Sequence, residues 1–300
     1  MTLLVLDSAS LWYRAYYGMP DTLLSPDGEP VNAVRGYFDM VSRLILQYKP
    51  NRVIAAIEGD WRPSWRVELF PDYKANRVDE VGGEEEPDLL TPQIPLILEG
   101  LDALGIPVIG VDDFEADDIM ATLSKSEPGP IRLATGDRDL FQLIDKEKDV
   151  KVIYLAKGIA NHDLVDENWV EKKYGIPGNR YALFAMIRGD ASDGLPGIKG
   201  IGEKGAAEIA NNFASLNDVL DAVANGNSKL KDSHRKKISE SIKYANIMEK
   251  LVICATDVRM PIFQSHISKF KPNIELIDNL ISQYGLQTSM ARMKDALGYL

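Results

Sequence analysis

One cysteine, Cys254, and three histidines stand in 300 residues. A lone thiol forms no internal disulfide and no cysteine zinc site, and the apolar run Leu251-Val252-Ile253-Cys254 marks it as a packing residue. His162, His234 and His266 are too widely spaced to read as a ligand set, so histidine-based metal or triad chemistry has no support. No apolar run approaches the roughly 18 residues needed to cross a bilayer, and the first ten residues lack the basic stretch and cleavage site of a signal peptide. A cytoplasmic protein, monomeric and without membrane contact, is expected. Positive charge is also scarce: 34 Lys and Arg against 45 Asp and Glu give a net charge of -11, the opposite of a uniformly basic nucleic-acid binder. The placement of the charges carries more information than their sum. Any metal here would be held by oxygen.

With 45% hydrophobic residues the chain can bury a sizeable core, as one large domain or a domain with an appended module. Apolar runs at Leu3 to Leu6, Val53 to Ile57, Ile106 to Val111, Ile131 to Ala134 and Val150 to Leu155 read as strands, too continuous to have a wet face. Helical spacing recurs in Val31 to Tyr48, Ile94 to Leu104, Ile119 to Leu123 and Leu140 to Ile144. The alternation predicts an α/β fold, a mostly parallel central sheet flanked by helices. From about Asp166 helices take over, in Glu167 to Tyr174, Arg180 to Ile187, Lys204 to Asn211 and Lys236 to Met248. The expected division is an α/β core over 1–165 and a helical module over 166–300. Arg77 to Pro95, with Gly82-Gly83 and Glu84-Glu85-Glu86, reads equally well as an unstructured surface loop.

Acids follow the predicted strands. Asp7 ends the first, Glu58 the second, Glu115-Ala116-Asp117-Asp118 follows the third, and Asp137 and Asp139 follow the fourth. Singly, each has a structural explanation as a turn residue, an acidic first helical turn or a cap. Together they should converge, because ligands of open parallel sheets bind outside the carboxyl ends of the strands. Such a cluster raises its own pKa values unless cations neutralise it, and magnesium or manganese, which prefer oxygen ligands, answer that need. The number of acids suggests two ions hydrolysing a phosphodiester.

Further on, Asp190 and Asp193 are three apart in a glycine-rich run that continues through Gly197, Lys199, Gly200, Gly202 and Lys204. Glycines with interposed isoleucines read as a helix-hairpin-helix at about 189–212, whose amides hold a phosphate without reading bases. An ordinary tight turn is the alternative. Arg62, Trp65, Arg66, Tyr73, Lys74 and Arg77 interleave cations with aromatics, suited to stacking on unpaired bases and steering a polyanion over the acidic edge. A second basic cluster, Lys229 to Lys237, suits duplex backbone.

Leu4-Val5-Leu6-Asp7, Tyr73-Lys74-Ala75-Asn76-Arg77, Glu115-Ala116-Asp117-Asp118, Thr135-Gly136-Asp137-Arg138-Asp139 and Gly189-Asp190 through Ala206 closely resemble, in order, the motifs of the bacterial and phage 5′→3′ exonuclease family, which includes the N-terminal nuclease domain of bacterial DNA polymerase I. The resemblance runs to about residue 290. It implies a PIN-like nuclease core, a helical arch at about 62–95, and two-metal cutting of DNA with 5′ flaps, nicks or free 5′ ends, leaving 5′-phosphate and 3′-hydroxyl. By the same resemblance Asp7, Glu115, Asp117 and Asp118 serve one metal site, and Asp137, Asp139, Asp190 and Asp193 the other. Arg66, Lys74 and Arg77 face the scissile phosphate, and the hairpin grips duplex DNA with a potassium ion on its carbonyls. Glu58 departs from the family's usual Asp, and its extra methylene shifts an ion or admits a water; Asp60 is near enough to share the role. A polymerase acting in the same pathway is the expected partner. The rival readings are a noncatalytic binder of branched DNA and a ribonuclease of the same fold.

Overall fold

Leu3, Leu4, Val5 and Leu6 are all fully buried, which a strand achieves only when both faces of its sheet are covered. In the computed structural model, which describes residues 1–79 and 82–299, they form β1 (Leu3–Asp7). With it lie β2 (Arg52–Ala56), β3 (Val108–Ile109), β4 (Ile131–Thr135), β5 (Val150–Tyr154) and β6 (Asp163–Val165), in the order β3-β2-β1-β4-β5-β6. The first five are parallel and β6 is antiparallel to β5. Strand order reverses direction between β1 and β4, so the crevice for a ligand opens at their carboxyl ends.

The helices are α1 (Ser8–Gly18), α2 (Asn32–Tyr48), α3 (Ser64–Leu69), α4 (Gln93–Ala103), α5 (Ala116–Ser126), α6 (Glu167–Tyr174), α7 (Tyr181–Arg188), α8 (Glu203–Asn212), α9 (Leu216–Asn225), α10 (Asp232–Glu240), α11 (Ile242–Ala245), α12 (Met248–Val252), α13 (Ile274–Tyr284) and α14 (Gln287–Leu297). Alternate strand residues choose opposite layers. Leu4 and Leu6 pack with Leu11, Phe38 and Leu101 of α1, α2 and α4, whereas Leu3 and Val5 pack with Ile119 and Leu123 of α5 and Phe184 of α7. Gly36 lets α1 lie close on α2, since a Cβ there would sit 2.9 Å from the Ala15 Cβ.

The α/β reading and the helical second half stand, with differences in detail. Only two residues of the third apolar run form a strand, and β6 carries an antiparallel edge that its short, partly exposed sequence did not announce. Leu140 to Ile144 is too short to nucleate an α-helix and forms a 3-10 helix over Asp139–Leu143. The expected helix Lys236 to Met248 is cut near Ser241 and Asn246 into pieces of α10, α11 and α12, both residues of weak helix preference. Residues of α13 and α14, among them Ile277, Leu280, Met290 and Met293, join the α2 and α4 layer, fastened by an Arg292–Asp39 ion pair at 2.6 Å. The polypeptide ends on the layer where its first helices lie.

Candidate active site

Asp7 sits where β1 becomes α1, and both its oxygens are used to shape that corner. One accepts from the Ser10 amide at 3.1 Å and caps α1; the other accepts from the Thr135 hydroxyl at 2.6 Å, at the end of β4. Two residues beyond β2 stands Glu58, whose carboxyl accepts from the Ala116 amide at 2.7 Å, the first amide of α5. Glu115 and Asp118 form a capping box on that same helix. After β4, Asp137 accepts from the Asp139 amide at 2.8 Å, which fixes the turn holding both.

These elements enclose a cavity of about 570 Å³ lined by Asp7, Glu58, Glu115, Asp117, Asp137 and Asp193 together with Lys74 and Arg77. Burial pushes the Asp7 carboxyl up to about 6 against its bonds from Thr135 and Ser10. Glu58 is pushed up to about 8, by burial first and the charge of Glu115 second. Asp117 is raised well above the carboxylate range by burial and then by Asp137. Asp139, beside the cavity, is raised in the same way by burial and Asp137, and its Oδ1 is buried without a partner. Oxygen-only donors held close enough to resist joint ionisation, one with an orphaned buried oxygen, fit hard divalent cations. Among the described residues no three acids stand close enough about one point to grip an ion as they are.

Other acids of the motifs are committed to protein cations. Asp118 is fully buried and takes Arg66 in a bidentate pair at 2.8 and 2.9 Å, the Ala255 amide at 2.7 Å and the Glu115 amide at 3.2 Å. Both Asp118 oxygens are thus engaged by protein donors, and the Arg66 head group is buried between Asp118 and Glu115. Asp190 accepts from Arg138 at 3.0 Å and from Ser192, with Arg188 at 3.5 Å. Burial opposes its ionisation, but Ser192 and Arg138 win and its pKa is lowered. Asp193 pairs with Arg77 at 2.5 Å. Glu115 receives the Tyr73 hydroxyl at 2.7 Å and the Lys74 ammonium at 3.0 Å. Arg62 bonds the carbonyls of Tyr73 and Pro71, both at 2.6 Å, so it braces the loop after α3, and Asp60 caps the Arg62 amide at 2.9 Å.

From the segment expected as an arch, Lys74, Arg77 and Glu84 line the cavity, while Leu90 and Gln93 pack against α2. The fixed structure here comes from the ion pairs of Arg66, Lys74 and Arg77, which composition alone did not reveal. Of the residues expected to form a hairpin, Gly197, Lys199, Gly200 and Gly202 lie between α7 and α8 and Lys204 in the first turn of α8, and none lines the cavity. Ile198 and Ile201 are buried beneath them, Lys199 and Lys204 are exposed, and the Gly200 carbonyl accepts from the Lys237 ammonium at 2.7 Å. Sequence reading missed Ser10, Tyr13, Arg14 and Tyr17, which also line the cavity. Their spacing was the available signal: once a helix is seen to start at Asp7, positions 10, 13, 14 and 17 share its face.

An acidic cavity at the reversal point of a parallel sheet, rimmed by cations and followed by a hairpin between helices, defines a carboxylate-centred nuclease. Residues 2–175 match the model of the 5'-3' exonuclease N-terminal resolvase-like domain, and residues 176–275 that of the 5'-3' exonuclease C-terminal SAM fold. The chain belongs to the 5′-3′ exonuclease family. It is 43% identical over 299 residues to a 5'-3' exonuclease of Streptomyces coelicolor, covering 98% of this chain and 99% of that one. It is 37% identical over 246 residues to DNA polymerase I of Mycobacterium bovis, covering 81% of this chain but 26% of the polymerase. Its fold is similar to that of the bacteriophage T5 flap endonuclease in a complex with DNA and metal ions, with a TM-score of 0.63 at 17% identity and coverage of 99% and 98% of the two chains.

Proposed function

We propose that this protein hydrolyses DNA phosphodiesters near free 5′ ends, as a 5′→3′ exonuclease and 5′-flap endonuclease, with two divalent ions, magnesium or manganese, held in the carboxylate cavity. The observation that carries this reading is the convergence of Asp7, Glu58, Glu115, Asp117, Asp137 and Asp193 on one space, with Asp139 alongside. Bound there, divalent ions supply Lewis acidity and a nucleophile at neutral pH. The protein's own residues do the rest. Asp7 and Glu58 are oriented by hydrogen bonds from Thr135, Ser10 and Ala116, so their carboxylates are preset. Arg14 and Arg77 line the same cavity and offer positive charge to a phosphate that the acids alone would repel. Asp118 and Arg66 act as positioning residues: their buried pair ties α3 to α5 and, through the Ala255 amide, to the helical segment.

Residues 62–79 and 82–95 serve as the arch over the 5′ strand, and the hairpin of Gly197, Gly200 and Gly202 with Lys199 and Lys204 holds duplex backbone. At the hairpin the Lys237 ammonium already supplies positive charge to the Gly200 carbonyl, the kind of oxygen a potassium ion would otherwise take. The substrates are DNA with 5′ flaps, nicks or free 5′ ends, made by a polymerase in the same pathway.

A labelled 5′-flap duplex tests the reading. With magnesium or manganese the protein should release the flap, and Asp117→Asn should cut roughly a thousandfold more slowly or worse, because the ion's charge stabilisation is worth several kcal/mol. Tight binding without cleavage by the unaltered protein would leave a branched-DNA binder, and preferential cutting of an RNA strand would leave a ribonuclease.

A further inference from the structure

Lys74 occupies an unusual position for a residue expected to meet substrate. Its backbone is left-handed, with φ 49°, and its amide donates to the Asp193 carbonyl at 2.9 Å, so the main chain is fixed in a conformation that costs energy outside glycine. The side chain is only 7% exposed. Its ammonium bonds the Trp61 carbonyl at 3.1 Å and stands 3.0 Å from Glu115 Oε2, while the Tyr73 hydroxyl and, at 3.4 Å, Arg66 attend Glu115 Oε1. Burial alone would push the ammonium toward neutrality, but Glu115, Asp193 and Glu58 outweigh it and raise its pKa, so the charge is permanent. Glu115 is thereby drawn to the cations of the loop, in a cavity where no three acids of the described residues yet share a point.

A divalent ion that takes Glu115 Oε2 competes with this ammonium for the same oxygen. The ammonium, once displaced, keeps the Trp61 carbonyl and the more distant charges of Asp193 and Glu58 but loses its one ion pair, which is costly unless another anion arrives, and the anion that belongs in this cavity is a phosphate. We propose that Lys74 is a placeholder cation that trades Glu115 for a substrate phosphate when a divalent ion binds, so that ion and DNA bind cooperatively through one lysine. The proposal rests on reading the cavity as a divalent-ion centre. Linkage makes the effect reciprocal: DNA must tighten the ion by the factor by which the ion tightens DNA.

Calorimetry with Mn²⁺ on chelator-stripped protein, without DNA, reads the exchange directly. Lys74→Met should bind Mn²⁺ about tenfold more tightly than the unaltered protein, within the usual range of coupling between sites, and Mn²⁺ should raise its melting temperature by more. Lys74→Arg keeps the charge and should keep the weaker affinity, which guards against a general loosening of the fold. Should Lys74→Met fail to fold, the unaltered protein decides alone: Ca²⁺, used to limit cutting, should bind more tightly with a 5′-flap duplex present than without it. Equal Mn²⁺ affinity in the unaltered protein and Lys74→Met would overturn the exchange while leaving the ion centre standing. No Mn²⁺ binding by either would overturn the ion centre and the exchange with it.

Discussion

Two neighbouring residues in one helical turn show how the fold divides its acids. Asp118 is fully buried, saturated by Arg66 and two backbone amides, and Asp190 is likewise held by Arg138 and Ser192. Asp117, one step along the same helix, turns into the cavity with Asp137 and Asp7, where burial first and like charge second push its pKa up. A rotation of about 100° per residue separates the two fates. Asp118 and Asp190, each supplied with a protein cation, hold segments together, whereas Asp7, Asp117 and Asp137 make no ion pair among the described residues and gather in the cavity. Residue type and motif are the same in both groups, and only the partner differs.

The widest expected gap between the groups is in stability. Asp118→Ala strands Arg66 in a buried site and should destabilise the protein by about 3–5 kcal/mol, the usual cost of breaking a buried pair from one side. Asp117→Ala in chelator-treated protein should leave the melting temperature unchanged or raise it, since it removes repulsion from Asp137. Denaturant unfolding of the two variants checks this, and equal losses would erase the distinction.

Acidity separates the groups next. Glu58 rises from 4.5 to about 8 and Asp7 from 3.8 to about 6. The folded, ion-stripped protein therefore keeps protons that the unfolded chain has already released, so these groups take stability away as pH climbs from about 4.5 to 8. Asp190, with its lowered pKa, works oppositely: its contribution is present above its ordinary value of 3.8 and disappears as pH falls below it. Melting curves with chelator should fall between pH 5 and 8 and flatten when Mn²⁺ replaces the protons. A stripped protein that grows more stable over that interval would contradict the arrangement.

The sheet was legible because Leu3 to Leu6 and Val53 to Ile57 are long enough apolar runs to exclude any wet face, and the acids at their ends, Asp7 and Glu58, pointed to one edge. The cavity's membership was legible for Asp7, Glu58, Glu115, Asp117, Asp137 and Asp193. What the chain order cannot show is which acids are neutralised from a distance: the Arg66–Asp118 pair joins residues 52 apart, and the Ala255 amide reaches Asp118 from 137 residues away. Helix α1 went unread because its buried residues Leu11, Trp12 and Ala15 are interrupted by tyrosines and an arginine that face the cavity. Its polar face lines the cavity, which blurs the apolar stripe that announces a helix.

The smallest expected effects lie at the hairpin, and they sharpen the contrast from the cationic side. Three cations between α3 and α4 or within α3 are engaged, Arg66 with Asp118, Lys74 with Glu115 and Arg77 with Asp193, whereas Lys199 and Lys204 are exposed and make no ion pair among the described residues. Free surface lysines that meet phosphate release counterions and carry no sequence information. Lys199→Ala and Lys204→Ala should each lower the slope of log affinity against log salt by about 1 and weaken binding evenly across sequences. Cutting at saturating substrate should stay within about twofold of the unaltered rate, because uniform binding energy does not lower the barrier of the bound complex. Fluorescence anisotropy on a flap duplex over a series of KCl concentrations measures the slope. A slope that ignores both lysines would move the duplex grip elsewhere, with the basic stretch Lys229 to Lys237 the next surface to test.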